Sequence, residues 1–212
     1  GIFTERDLLK RVVAAELDTR KTLVSEVMTR KLSTASADET PNYCLRKMKE
    51  MGHFDLLHFD ACGVPHSMAI SGRHRADMER LGRDSKAVCE TQIRLFGEPA
   101  PMDRYLFLTQ AVGEGYGGLE HASSSSLICK RAHLPALGRP DEQDPNQNAG
   151  YRGFLGLCSH EYFHAWWVKR VKPAAFSPYD LSREAYTRLL WVFEGVTSYY
   201  DDLVLLRAGL IE

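Results

Sequence analysis

The sequence predicts an α+β protein, in which strands fill the middle of the chain and long helices flank them. An alternating apolar run begins at Phe54, and a second strand-like run covers residues 105–112. Apolar residues recur at helical spacing from about residue 75 to 96, and again over about 153–168 and 183–208. Strands and helices that segregate along a chain in this way are typical of the α+β class.

The composition is that of an ordinary globular protein. The chain has 212 residues, with 27 Lys and Arg against 28 Asp and Glu, and 44% of its residues are hydrophobic. A formal net charge of -1 gives no field that would concentrate nucleic acid or an anionic membrane surface. The longest apolar run, Leu189 to Phe193, is far shorter than the roughly 20 residues that span a bilayer. We therefore expect neither a transmembrane helix nor a nucleic-acid partner.

The start of the chain and its cysteines bear on processing and compartment. The chain opens with Gly1 and shows neither an initiator Met nor a secretory signal, so we expect a fragment or a processed piece. The five cysteines include no CxxC pair, and reduced thiols are the default for such a chain. This pattern favours a cytoplasmic location. The cysteines are Cys44, Cys62, Cys89, Cys129 and Cys158.

Residues 1 to about 52 differ in pattern from the rest of the chain. Two short amphipathic helices are predicted there, on either side of an extended Thr- and Ser-rich stretch at 32–38. The strand-like pattern starts at Phe54, which predicts a boundary near Gly52 and a second domain over 53–212. The two apolar stripes are Leu8, Leu9, Val12 and Val13, and Cys44, Leu45, Met48 and Met51.

Glycines and prolines predict where the later elements end. The helix that starts near residue 75 is expected to stop before Gly97, and a strand-like run at 119–129 follows the glycines after residue 112. Residues 134–153 read as a surface loop, since they are rich in Pro, Asp, Asn and Gln. Pro173 and Gly209 are expected to stop the last two helices.

An HExxH pentapeptide, His160 to His164, lies inside the apolar helical segment at 153–168. A spacing of four residues places both imidazoles on one helix face, so that both can reach a single ion. Glu161 projects beside that face, where it can touch a metal-bound water without being a ligand. This arrangement predicts zinc hydrolysis; the alternative is a hydrogen-bonded surface cluster of two histidines and an acid.

Catalytic zinc needs a third protein ligand and one open position. Glu194 is the best candidate, because an acid in an apolar helical segment is expensive to bury unless it is paired or bound to metal. The stretch between His164 and Glu194 is long enough for a helix end, a loop and a returning antiparallel helix. The sequence therefore predicts Zn²⁺ held by His160, His164 and Glu194.

A second feature concerns the substrate. Glu120 follows the glycine pair Gly117 and Gly118 at the start of a strand-like run. In a zinc hydrolase such a strand can line the cleft, where glycines let a peptide backbone approach and the acid pairs with a substrate ammonium. The alternative is a glycine hairpin with an exposed acid.

Four motifs carry a resemblance to a known family: residues 59–66 (FDACGVPH), 117–121 (GGLEH), 160–166 (HEYFHAW) and 190–195 (LWVFEG). With these motifs in this order, the segment from about residue 54 to the C-terminus resembles the glycyl aminopeptidase family of gluzincin zinc metallopeptidases. Members of that family typically carry a C-terminal PDZ domain.

The resemblance implies a thermolysin-like catalytic domain, here truncated at its C-terminus. It implies His160, His164 and Glu194 as zinc ligands, Glu161 as the general base, and a peptide as the substrate. The similarity of residues 117–121 to the GxMEN motif of related aminopeptidases suggests that Glu120 recognises the free amino terminus.

The sequence departs from the family pattern at two positions. Trp167 stands where Asn is expected, and Ala122 stands where Arg is expected after the GGLEH string. Neither departure removes a ligand, but both could change the shape of the cleft.

The first 52 residues resemble something else. Residues 1–7 and 24–29 look like the end of one CBS motif and the start of a second. In a complete CBS pair, Thr4 and Asp7 would contact an adenine nucleotide. Each motif here lacks one half, so the expected fold is a partial CBS-like α/β segment without a nucleotide site.

The predicted function is that of a zinc-dependent metallo-aminopeptidase that removes small amino-terminal residues, Gly or Ala, from peptides. One alternative is a folded but inactive zinc-binding remnant. Another is an adenine-nucleotide-sensing regulatory protein built on the CBS-like segment.

Overall fold

The computed structural model describes residues 11–12, 15–28, 30, 43, 54–139, 144–178, 180 and 182–212. The chain divides into two compact units, Gly1–Arg46 and Lys47–Glu212. Residues 44–53 lie outside the described part, so the boundary near Gly52 stays a prediction. Within the described ranges, no helix combines the length and the apolar character that a membrane span requires.

The first unit contains one short described helix, α1 (Val24–Val27). The Leu23 N–H donates to Oε2 of Glu26 at 3.2 Å, which caps the first turn of this helix. Arg11 Nη1 donates to the carbonyl of Val27 at 2.9 Å, at the other end. Val12, from the first predicted stripe, is buried. Leu8, Leu9, Val13 and the whole second stripe lie outside the described residues.

The second unit is built on one mixed five-stranded sheet and three long helices. In chain order the strands are β1 (Phe54–Ala61), β2 (Val64–Ser71), β3 (Tyr105–Val112), β4 (Gly117–Glu120) and β5 (Ser124–Lys130). The helices are α2 (Met78–Phe96), α3 (Ala149–Phe163) and α4 (Leu190–Arg207). Helices and strands share this unit, as the sequence predicts.

The order of strands in the sheet is β1-β2-β3-β5-β4. Strands β2, β3 and β5 are parallel, while β1 and β4 are antiparallel to their neighbours. A parallel pair needs a crossover, and α2 supplies it between β2 and β3. The short strand β4 is last in the strand order, so it forms one edge of the sheet. Its one partner among the described strands is β5, with Glu120 opposite Ser125 and Gly118 opposite Leu127.

Helices α2 and α3 pack against the sheet, and the core lies between them. Asp77 caps α2 by accepting from the Arg80 N–H at 3.0 Å, and the helix ends at Gly97, whose φ is 95°. The sheet residues of the core are apolar and fully buried, as are the helix residues that face them. They include Met68, Ile70, Phe107, Leu127, Leu81, Val88, Ile93, Phe154 and Leu155.

Several predicted bounds are corrected by the structure. Strand β2 has no counterpart among the sequence-based elements, in which the run from Phe54 ends in a turn at 62–65. The turn comprises only Cys62 and Gly63, and Val64 and Pro65 already belong to β2. The single run expected at 119–129 is a hairpin, β4 and β5, closed by a hydrogen bond from the His121 N–H to the Ser124 carbonyl at 2.8 Å. Both strands are short enough to be read as one pattern.

The last two helices also have different bounds from those predicted. Helix α3 starts at Ala149 rather than near 153, because the Asn148 side chain accepts from the Tyr151 N–H at 3.0 Å and caps it. It ends at Phe163, since the chain turns after His164. Helix α4 starts at Leu190 rather than near 183, directly after a turn closed by the Leu189 N–H and Thr187 Oγ1 at 3.1 Å.

Candidate metal centre

The two histidines of the HExxH pentapeptide lie together at the C-terminal end of α3. One helical turn separates them, and their Nε2 atoms are 3.2 Å apart. The ring of His164 is almost fully buried, while the side chain of His160 is 19% exposed. Both rings therefore present Nε2 to one point at the end of the helix.

Glu194 reaches the same point from the second turn of α4. Its Oε2 lies 3.3 Å from His160 Nε2 and 3.6 Å from His164 Nε2. Ligands 2.0–2.1 Å from a tetrahedral zinc ion are separated from one another by about 3.3 Å, which is close to these three distances. The three donors therefore fit a tetrahedral ion with one open position.

Burial of Glu194 is where the sequence-based reasoning goes wrong. An acid in an apolar helical segment is expected to be buried, yet this side chain is 48% exposed. The apolar neighbours Leu190 and Trp191 are exposed as well, at 52% and 74%. The position of Glu194 thus follows from the direction of α4 and not from a buried environment.

The other ring nitrogen of each histidine is held by a hydrogen bond. Nδ1 of His160 donates to Oδ2 of Asp201 at 3.2 Å, and Nδ1 of His164 donates to the carbonyl of Trp167 at 2.8 Å. These bonds fix the tautomer and leave Nε2 free to bind a metal. Sequence reasoning missed Asp201, although an acid seven residues after Glu194 lies on the same face of a helix.

A buried hydrogen-bond network anchors Asp201 behind the histidines. Ser159 Oγ donates to the backbone carbonyl of Asp201 at 3.0 Å, which joins α3 to α4. Gln92 Nε2 donates to the carbonyl of Ser159 at 2.8 Å, which joins α2 to α3. Because Gln92 and Ser159 are fully buried, the three helices are tied together directly behind His160.

The charges around His160 favour its protonated form in the absence of metal. Burial acts to lower its pKa, but the hydrogen bond that His160 donates to Asp201 and the charges of Glu161, Asp201 and Glu194 outweigh burial, so that the net pKa is raised. The same excess of negative charge attracts a divalent cation. The site is therefore electrostatically prepared for a metal.

Glu161 is the buried acid of the site, at 5% exposure. Burial raises its pKa to about 7, although the charge of His160 acts in the opposite direction. Among the described residues, none donates a hydrogen bond to its Oε2. Its other oxygen lies against Gly118 of β4, in the space that a Cβ would fill. A buried carboxyl with a free oxygen and a pKa near neutrality is suited to take and return a proton.

Glu120 lies at the end of β4, beside the same group of residues. One donor atom each from Glu120, Glu161 and His164 lie within 4.8 Å of one another. Glu120 is paired with Lys169, whose Nζ lies 3.1 Å from Oε1. Burial acts to raise the pKa of Glu120, but its backbone N–H and Lys169 lower it further than burial raises it. Glu120 is thus an ionised acid at the sheet edge.

The segment after His164 connects the histidines to the sheet edge. Arg170 donates to three backbone carbonyls, those of Ala122, Ala165 and Pro101, each at 2.6 Å. We call these three bonds of Arg170 the carbonyl clamp, and Ala122 contributes one of its three carbonyls. The ring of Trp167, the other departure from the family pattern, packs on Phe193 with centroids 4.9 Å apart, next to Glu194.

Comparisons with known proteins agree on a likeness to peptidases. Residues 153–212 match the family model of M61 glycyl aminopeptidases, and this range includes His160, Glu161, His164 and Glu194. Among solved structures, the chain resembles an aminopeptidase N family protein from Idiomarina loihiensis, with 47% identity and a TM-score of 0.70. That match covers 75% of this chain and 26% of the other, so the chain spans about a quarter of that relative. No curated protein matches the chain.

The resemblance of residues 1–52 to CBS motifs finds no support in these comparisons. Residues 1–7, with Thr4 and Asp7, lie outside the described part, and residues 24–27 of the second half-motif form α1. The likeness that the comparisons establish is to the aminopeptidases, and over residues 153–212 it is to the M61 glycyl aminopeptidases in particular.

Proposed function

We propose that residues 53–212 form a zinc-dependent metallo-aminopeptidase domain of thermolysin-like architecture. The observation that carries this proposal is the convergence of His160 Nε2, His164 Nε2 and Glu194 Oε2 at 3.2 to 3.6 Å from one another. Two neutral imidazoles and one carboxylate are the donor set of a catalytic zinc site with an open position. A zinc ion held there would act as a Lewis acid on the scissile carbonyl and acidify a water molecule.

Glu161 is the proposed general base. Its carboxyl is buried next to the histidines, with Oε2 free of a hydrogen-bond partner among the described residues. A base in this position accepts the proton of the attacking water and gives it to the leaving amine. Its raised pKa keeps both directions of transfer within reach at neutral pH.

Glu120 is the proposed acceptor of the substrate's amino terminus. Among the strands that the structure describes, β4 has a neighbour only on the side of β5, so its other edge offers backbone groups to an extended peptide. Glu120 stands at the end of that edge, and its ionised carboxylate suits an α-ammonium. The space beside Gly117 is open, while the Glu161 carboxylate fills the space beside Gly118. This shallow edge favours a small first residue such as Gly or Ala.

The test combines metal content with turnover. Purified chain should contain about one zinc per molecule by mass spectrometry and should hydrolyse a glycyl anilide. Glu194→Ala should lose most of the metal, because it removes one of only three protein ligands. An equal zinc content in wild type and Glu194→Ala would contradict the proposed site, and full zinc without turnover would identify the inactive remnant.

A further inference from the structure

Within the described residues Glu120 forms one ion pair, and its partner is Lys169. Nζ of Lys169 lies 3.1 Å from Oε1 of Glu120, and both side chains are about four-fifths buried, with 20% and 23% of their surface exposed. Lys169 is thus a cation of the protein itself that binds the carboxylate proposed to bind the amino terminus of the substrate.

The backbone that presents Lys169 is fixed on both sides. Its own N–H donates to the carbonyl of His164 at 3.1 Å, and the next residue, Arg170, makes the carbonyl clamp described above. The preceding residue, Val168, is buried and has φ of 136°, a conformation that a β-branched residue rarely adopts. Strain of this kind persists only where the surroundings over-determine it.

Only the side chain of Lys169 is therefore free to leave Glu120. It carries its ammonium on four methylene groups, and it is long enough to turn towards solvent. The bonds of Lys169 N–H and Arg170 hold the backbone in place, so the ammonium can return to the same carboxylate.

The ε-ammonium of Lys169 and the α-ammonium of a peptide have the same chemistry: each is a cation that donates to a carboxylate. Two such groups on one carboxylate lie about 4 to 6 Å apart and repel each other in a partly buried cleft. We propose that Lys169 is an internal occupant of the amine-recognition site, which the amino terminus of a peptide displaces from Glu120. This proposal rests on the role of Glu120 given above.

The displacement predicts that the wild-type site binds amines more weakly than Glu120 alone would. The gain from a new charge-assisted hydrogen bond is offset by the loss of the internal pair. Removing the ammonium of Lys169 should therefore strengthen amine binding. If Lys169 instead supported Glu120, its removal would weaken amine binding. The sign of the change separates a competitor from a supporting residue.

The experiment uses two small ligands for the zinc-loaded chain that differ by one amino group, glycine hydroxamate and acetohydroxamate. Calorimetry gives the dissociation constant of each. Lys169→Met and Lys169→Gln should each lower the dissociation constant of glycine hydroxamate by about 5- to 10-fold and leave that of acetohydroxamate unchanged. Lys169→Arg keeps a cation and should stay within about 2-fold of wild type. Lys130→Met, which breaks the Lys130–Glu114 pair outside the site, is the matched control.

Glu120→Gln distinguishes a failure of the proposed role of Glu120 from a failure of the displacement of Lys169. The dissociation constants of glycine hydroxamate and acetohydroxamate are compared in wild type and in Glu120→Gln, each with Lys169 and with Lys169→Met. If neither protein prefers the ligand with the amine, with or without Lys169→Met, the proposed role of Glu120 fails. If Glu120→Gln lowers amine affinity while Lys169→Met and Lys169→Gln leave it unchanged or weaken it, Glu120 keeps its role and the displacement by substrate is overturned. Tighter binding in both neutral variants but not in Lys169→Arg supports the displacement.

Discussion

The carboxylate of Glu161 lies in the space that a side chain on Gly118 would occupy. A Cβ built on Gly118 would overlap Oε1, Cδ and Cγ of this glutamate. The sequence suggests that the glycine pair lets a peptide approach, but Gly118 also makes room for the buried acid of α3. Two segments 43 residues apart thus share one space at the sheet edge.

This contact predicts that Gly118→Ala moves Glu161 without removing the metal site. The clash falls on the end of a flexible side chain, so the chain should fold and retain zinc while kcat/KM for a glycyl anilide falls by about 10- to 100-fold. Gly153→Ala is the control, since its Cβ meets no atom within 4 Å. Unchanged kinetics in Gly118→Ala would show that the position of Glu161 is not critical.

Glu161→Gln should separate metal binding from turnover. The amide has the same shape but cannot accept a proton, so kcat should fall by about 100- to 10,000-fold. Zinc content should equal that of the wild type, because Glu161 is not one of the three proposed ligands His160, His164 and Glu194. A variant that loses zinc would make Glu161 a ligand, and one that turns over normally would remove it as the base.

Asp201→Asn should weaken zinc binding through His160. The amide no longer offers a charged partner to Nδ1, and the loss of such a partner typically costs about 10- to 100-fold in metal affinity. Competition with a chelator of known affinity measures the change. Asp202→Asn is the matched control, since the neighbouring Asp202 is exposed and makes no contact with His160. Equal losses in both variants would point to a general charge effect.

His66 should make the stability of the fold depend on pH. It is a buried residue of β2 that contacts α3: its Nδ1 donates to the Val64 carbonyl at 2.8 Å, and its Nε2 accepts from the Tyr162 hydroxyl at 2.9 Å. Burial lowers its pKa, although the bond to Val64 acts in the opposite direction. The unfolded chain therefore binds the proton more readily than the folded one, and the free energy of unfolding falls as the pH drops below about 6.5.

The comparison of wild type with His66→Gln isolates this contribution. Urea unfolding with a chelator present, at about pH 7.5 and pH 5.5, should show a larger loss of stability on acidification in the wild type. All other histidines are common to both proteins, so their effects cancel in the difference. An equal acid dependence in the two proteins would mean that His66 does not titrate in this range.

The helical periodicity of the sequence made most of the helical core predictable, together with the part of the site that lies on α3. The repeat of 3.6 residues per turn places His160 and His164 on one face whatever the rest of the chain does, and it identifies α2 by its apolar stripe. The bounds of α3 and α4 were less predictable, because the side chains of Asn148 and Thr187 fix where they begin.

The sequence by itself determined the HExxH pair, the neighbouring Glu161 and the candidates Glu194 and Glu120. Only the tertiary structure decided how α4 brings Glu194 to the histidines, how Asp201 orients His160 and how Lys169 pairs with Glu120. These contacts join residues that are 30 to 49 positions apart. Their geometry depends on how helices and a sheet edge pack against one another, because periodicity sets which face a residue is on but not what that face meets.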